Sequence, residues 1–149
     1  MPVEPDALLR FEEADDGWQI ARTGGTGRFV DLFRSIRIRA EGADRARVRF
    51  ETGDAVRNIA DSVHGGYILA AIDQSLFMAC RAIGSEGGLR GVTLDTSCQF
   101  IAPIAVDRPM DAVVERLRET GRIVFLRGTI EQDGTVAAAF SGTIRKASV

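Results

Sequence analysis

The chain has 149 residues, 45% hydrophobic and 27% charged, which suits one globular domain with its own core and excludes a disordered or fibrous chain. With 19 basic and 21 acidic residues the formal charge is −2, so the basic excess of a nucleic-acid binder is missing. Two cysteines, Cys80 and Cys98, are too few for a disulfide framework, and with His64 they do not make a metal site of the usual ligand spacing. Met1 to Arg10 has no apolar stretch of the signal-peptide kind, and the apolar run from Tyr67 to Cys80 is too short for a bilayer and contains Asp73. These readings predict a cytoplasmic protein of one domain over residues 1–149, with no metal, membrane or nucleic acid.

Residues 1–28 read as a polar, glycine-punctuated amino-terminal extension with a short apolar patch at Trp18 and Ile20. Thr23-Gly24-Gly25-Thr26-Gly27 reads as a flexible loop, and the Gly-Lys-Ser/Thr ending of a P-loop does not follow it. Phe29, Val30, Leu32 and Phe33 are spaced for one or two helical turns. From Ile36 the period becomes two: Ile36, Ile38 and Ala40, then Ala46, Val48 and Phe50, alternate with arginines and acids. This predicts a half-buried hairpin. Its arginine stripe suits a solvated face with acids nearby or a phosphate-binding surface.

Gly65 to Ile83 is almost wholly apolar, and Gly84 follows as a stop, which predicts a buried helix. Afterwards period two returns. Val92, Leu94, Thr96, Cys98 and Phe100 form one face, with Thr93, Asp95, Ser97 and Gln99 on the other. Asp111 to Arg118 forms a further strand. Val124 to Ile130 and Val136 to Ile144 form two more, joined at Asp133-Gly134, a strong hairpin signal. The order β-β-α-β-β-β-β predicts an α+β fold, one long helix wrapped by a curved antiparallel sheet of about six strands. One sheet cannot enclose a helix that is apolar all round, which predicts a partner subunit.

Asp73 is the acid of this helix, and its neighbours one turn away are Leu69 and Phe77, so no cation on the helix can pair with it. A carboxylate so placed is either paired from the sheet, turned to solvent, or held for chemistry. His64-Gly65-Gly66 stands at the predicted helix start, where free N–H groups and the positive end of the dipole meet. Glycines there admit a carbonyl oxygen close to the backbone, and an oxyanion would be stabilised.

The order Asn58, His64-Gly65-Gly66, then Asp73 nine residues after the histidine resembles the hotdog-fold acyl-CoA thioesterases, and within them the phenylacetate-type (PaaI-like) subfamily. Gly91-Val92-Thr93-Leu94-Asp95 is similar to that family's next strand. The resemblance covers about 29–146 and implies a homodimer, often paired into a tetramer, with shared active sites. Asn58, His64, Gly65 and Gly66 would come from one chain and Asp73 from the other. It implies that Gly66 N–H polarises the thioester carbonyl, and that Asp73 acts as nucleophile or general base. Asn58 would position water or thioester, Thr93 would bond the carboxylate or the water, and His64 would orient the loop. The coenzyme A nucleotide would lie near Arg118-Glu119-Thr120-Gly121-Arg122, with Arg118 and Arg122 at its phosphates beside Gly121. Phe100 would line the acyl or pantetheine tunnel, or simply be core. No cofactor is implied beyond the coenzyme A of the substrate. Asp61 stands where the family often has glycine, and Tyr67 and Phe77 stand where it usually has small residues. Acyl-thioester dehydration or hydration, with His64 and Asp73 moving protons, is the enzymatic alternative. A non-catalytic acyl-CoA-binding hotdog is the other.

Overall fold

The computed structural model describes residues 8–148, so most of the Met1 to Arg10 segment lies outside the described residues. Eight strands form one antiparallel sheet: β1 (Arg10–Glu13), β2 (Gln19–Arg22), β3 (Ser35–Ala40), β4 (Arg45–Phe50), β5 (Val92–Phe100), β6 (Met110–Glu119), β7 (Ile123–Gln132) and β8 (Thr135–Arg145). Their spatial order is β1-β2-β3-β4-β6-β7-β8-β5. The helix α1 (Gly65–Ala82) packs across it.

The hairpin alternation appears as read. Ile36, Ile38, Ala46, Val48 and Phe50 are buried under the helix, and each pairs across β3 and β4 with a like residue, Ile36 with Phe50 and Ile38 with Val48. Of the helix side chains, Ile72 and Leu76 on one side and Met78 on the other are completely buried. Each such side chain contributes about 1.5–3 kcal/mol on leaving water. Gly142 on β8 is a contact point of the two layers. A Cβ there would lie 2.5 Å from Leu76 Cδ1, so the glycine lets helix and sheet approach.

Two expectations change. The polar amino-terminal extension contains β1 and β2, which raises the strand count from about six to eight. Trp18 leads into β2 and lies 8% exposed under two guanidinium groups, Arg39 at 4.4 Å and Arg49 at 4.9 Å from its ring centroid. The loop at 23–27 is also fastened: the Asp31 carboxylate accepts from Thr26 N–H, Thr26 Oγ1 and Gly27 N–H, and these bonds hold its pKa below the ordinary value. Phe29–Phe33 forms a 3-10 helix, in line with its spacing.

The arginine stripe is a structural network. Arg47 bonds Glu41 at 2.8 Å and Asp111 at 3.1 Å, Arg49 bonds Asp111 at 2.7 Å, and Arg39 bonds Glu41 at 2.8 Å. Each charge of the stripe's centre is answered by an acid, which leaves little field for a phosphate.

Candidate functional site

The start of α1 follows from its sequence. His64 is the N-cap, and its Nδ1 accepts from Gly66 N–H at 2.8 Å. That bond requires a ring unprotonated at Nδ1, with its proton on Nε2. The His64 side chain thereby ties the loop to the first turn of the helix. In this structure Gly66 N–H is engaged by the cap. Gly65 N–H, the first of the helix, has no acceptor among the described residues. Phe100 lies over it: a Cβ at Gly65 would sit 3.6 Å from the Phe100 ring.

Asn58, Gly65 and Phe100 line one apolar cleft of about 330 Å³, with Ile68, Pro103 and Ile104 among its walls. Asn58 holds its own loop. Its Oδ1 accepts from Ala60 N–H at 2.8 Å and Ser62 N–H at 3.1 Å, and its Nδ2 donates to Ser62 Oγ at 3.0 Å. Asp61 takes φ 60° in this turn, a conformation that aspartate tolerates better than most residues, so the family's glycine is replaced without loss of the turn.

Asp73 stands two turns further along α1. Eight residues at 1.5 Å each place it about 12 Å from Gly65 along the helix axis. It is half-buried, and Thr93 Oγ1 donates to its Oδ1 at 2.5 Å. No cation pairs with it among the described residues. Thr93 reaches it because of a bulge. Thr93 pairs with Ile144 and Asp95 with Thr143, so Leu94 is an extra residue between two ladder pairs. Strict alternation puts Thr93 on the opposite face from Thr96 and Phe100. The bulge corrects this and turns Thr93, Thr96, Cys98 and Phe100 together toward the helix side, opposite Ile144, Gly142, Phe140 and Ala138.

Tyr67 and Phe77 do not line the cleft. Tyr67 is buried, packs 5.7 Å from the Phe33 ring and donates to Glu51 O at 2.5 Å; burial pushes its phenol up to about 12. Phe77 packs against the core. Arg118 is exposed and lies apart from a second cavity of about 650 Å³, which is lined by Gly121, Arg122, Glu86, Arg145 and Lys146. The sequence gives no signal for Arg145 and Lys146, which read there only as the end of the last strand. Among the described residues no group of three or more His, Cys, Asp or Glu could hold a metal ion, and no helix is long and apolar enough to cross a membrane.

No curated protein matches this sequence. The fold is that of PaaI, the phenylacetic acid degradation protein of Thermus thermophilus, a mutant of which aligns at TM-score 0.63 and 19% identity over 75% of this chain and 93% of that one. Zebra fish thioesterase superfamily member 2 aligns at TM-score 0.70 and 15% identity, over 81% and 88%. A hypothetical thioesterase with coenzyme A from Streptococcus pneumoniae aligns at TM-score 0.68 and 18% identity, over 80% and 91%. These likenesses establish one helix on an antiparallel sheet as a hotdog. The family described as the acyl-CoA thioesterase N-terminal domain matches residues 53–145, more than half the chain and the span from Asn58 to the end of the sheet. The chain therefore belongs to the hotdog-fold acyl-CoA thioesterase family.

Proposed function

We propose that this protein hydrolyses acyl-CoA or aryl-CoA thioesters to the free acid and coenzyme A. The observation that carries the reading is the Asp73 carboxylate, half-buried, with no cation beside it among the described residues and Thr93 Oγ1 donating to one oxygen. Oδ2 is left to face the reaction. A thioester carbonyl is already electrophilic and its thiolate leaves readily, so one carboxylate and one oxyanion donor suffice. The donor that the cap leaves available is Gly65 N–H, at the positive end of α1.

In the reaction, water adds to the carbonyl carbon while Asp73 takes its proton. The oxyanion rests on Gly65 N–H, the C–S bond breaks, and the proton passes to the departing sulfur. Direct attack by Asp73 would pass instead through an anhydride that water opens. A single turnover in ¹⁸O water separates the two: water adding to the thioester labels the product acid, whereas an anhydride opened at the Asp73 carbonyl leaves the label in the Asp73 side chain.

Gly65 and Asp73 of one chain are too far apart to share one carbonyl, which supports a site completed by a second copy. The β5 edge supports this as well. Val92, Leu94, Phe100 and Ile101 are half-exposed there, on a strand paired on one side only. We read the protein as a homodimer, able to pair further into a tetramer, with Asn58, His64 and Gly65 of one chain facing Asp73 and Thr93 of the other. The working location of such an enzyme is the cytoplasm, where acyl-CoA is made.

The test is thiol release from short-chain, long-chain, phenylacetyl and hydroxybenzoyl thioesters, with Asp73→Asn beside the unaltered protein. Turnover lost in the variant supports the reading and names the acyl class. Loss of an enoyl-CoA's conjugated absorbance without thiol release supports the dehydratase instead. Tight acyl-CoA binding with no turnover supports a binding protein.

A further inference from the structure

The loop between β5 and β6, residues 101–109, carries Ile104, whose side chain is 1% exposed and walls the apolar cleft at Gly65. The loop contains no helix or strand, and Pro103 and Pro109 bring no N–H, so its backbone has to be held by groups from elsewhere. Its start is held by Ala137 O, which accepts from Ile101 N–H at 2.8 Å and Ala102 N–H at 3.1 Å. Thr52 Oγ1 donates toward Val106 O at 2.9 Å and Arg108 O at 2.6 Å.

Between these anchors one side chain reaches the loop at several points. Gln132 Oε1 accepts from Ala105 N–H at 2.8 Å, and its Nε2 donates to Ala105 O at 2.9 Å, Arg108 O at 3.1 Å and Pro109 O at 3.4 Å. Toward Ala105 the carboxamide does what a neighbouring strand would do, giving a donor to the carbonyl and an acceptor to the N–H. Gln132 is itself fixed, because it ends β7 and pairs with Thr135 across the Asp133-Gly134 turn.

Successive bonds lead from this carboxamide to the candidate site. Ile104, the residue before Ala105, has its carbonyl on Val63 N–H at 2.8 Å, and Val63 precedes the N-cap His64. Ile104 is therefore stretched between two anchors, Val63 on one side and Ala105 in the grip of Gln132 on the other. Its side chain shares the cleft with Ile68 and Phe100. An apolar pocket rejects a longer chain only as firmly as its wall is held, since a wall that yields admits the extra methylene at little cost.

We propose that Gln132 is a positioning residue that acts through Ile104 to limit the length of the acyl chain the cleft accepts. The inference rests on the thioester reading above and deepens it. Gln132 does not line the cleft and acts only through the loop.

The experiment measures kcat and KM for butanoyl-, hexanoyl-, octanoyl-, decanoyl- and dodecanoyl-coenzyme A. Calorimetric binding of the same series to chains that also carry Asp73→Asn gives a length profile without turnover. Gln132→Ala is expected to raise kcat/KM for the chain two carbons beyond the optimum about tenfold relative to the optimum, the low end of methylene discrimination, with the gain in KM and kcat on the best chain within about twofold. Ile104→Ala should relax the profile at least as far, and the double variant should match Ile104→Ala, because both changes act on one wall. Gln132→Met keeps the length of the side chain and loses its bonds, so it should behave as alanine does. Thermal midpoints show that each variant is folded. A lowered midpoint with an unchanged length profile would make Gln132 structural only and overturn the proposal. So would additive effects in the double variant, an unaltered profile in Gln132→Met, or a flat profile in the unaltered chain. If the binding profile shifts in Gln132→Ala but no acyl-CoA is hydrolysed, the positioning role stands and the hydrolase reading falls. Hydrolysis with the same profile in both chains leaves the hydrolase and removes the role of Gln132, and binding of no member of the series removes both.

Discussion

At the β1 edge of the sheet the chain finishes its own surface. Trp18 lies beneath Arg39 and Arg49, Arg81 of the helix stacks 4.3 Å over Phe11 of β1, and Arg22 bonds Glu12 at 3.3 Å. At the β5 edge it leaves the surface bare. Val92, Leu94 and Phe100 are each at least half exposed, and the Asp73–Thr93 pair and the cleft at Gly65 lie on that side. Edge strands are normally blunted by charge, by bulges or by cover. One edge here has the charge and the cover. The other has a bulge, and that bulge aims Thr93 at Asp73. Stability and candidate chemistry are thus assigned to opposite ends of one sheet.

The widest separation between the two edges is expected from Asp73→Asn. It should lower thiol release by about 10²–10⁴-fold, the range for removing a general base, with an unchanged thermal midpoint. A variant that retains turnover breaks the comparison at its catalytic end. Trp18→Ala should act the other way. It is expected to cost about 3–4 kcal/mol in denaturant unfolding, the lower part of the range for emptying a buried aromatic site, while kcat of the folded fraction stays the same. Thr93→Val keeps the shape and removes the donor to Oδ1, so kcat should fall about tenfold, with stability within about 1 kcal/mol.

The smallest effect belongs to the core between the edges. Burial raises the Tyr67 phenol from 10.0 to about 12 and the Cys80 thiol from 9.0 to about 11. Both groups are held protonated in the folded chain. Their contribution is complete below the unfolded values and is lost as pH rises from about 9 through about 12. Alkaline unfolding followed by circular dichroism should show this decline, and Tyr67→Phe should remove its upper part. A decline of the same size in that variant would count against the assignment.

The helix and most of the sheet are legible in the sequence because their signals are redundant. An apolar run bounded by His64-Gly65-Gly66 and Gly84 allows one element, observed as Gly65–Ala82. Asp133-Gly134 allows one turn, and both residues take positive φ there. β1 and β2 are not legible: four-residue strands whose pairing is Phe11 with Ala21 and Glu12 with Ile20 carry too little alternation. Bulges hide the rest. The extra residue at Leu94 reverses the face read for Thr93. A shift between Ile130 and Glu131 buries Ala137 and leaves Val136 exposed, where alternation places Val136 in line with Ala138. In the candidate site, spacing brings Asn58, Gly65 and Asp73 into view. It cannot say which glycine N–H the cap consumes, because that depends on the His64 ring and not on residue order.

Trp18 is the chain's single tryptophan, and both guanidinium groups over it come from the sheet's outer face. The intrinsic fluorescence of the protein is therefore the signal of one position, the joint between the amino-terminal hairpin and the body of the sheet. Emission excited at the indole band reads the seating of that joint, while far-ultraviolet ellipticity reads α1. Recorded in the same denaturant series, the two curves time the release of the hairpin against the melting of the helix without any added label.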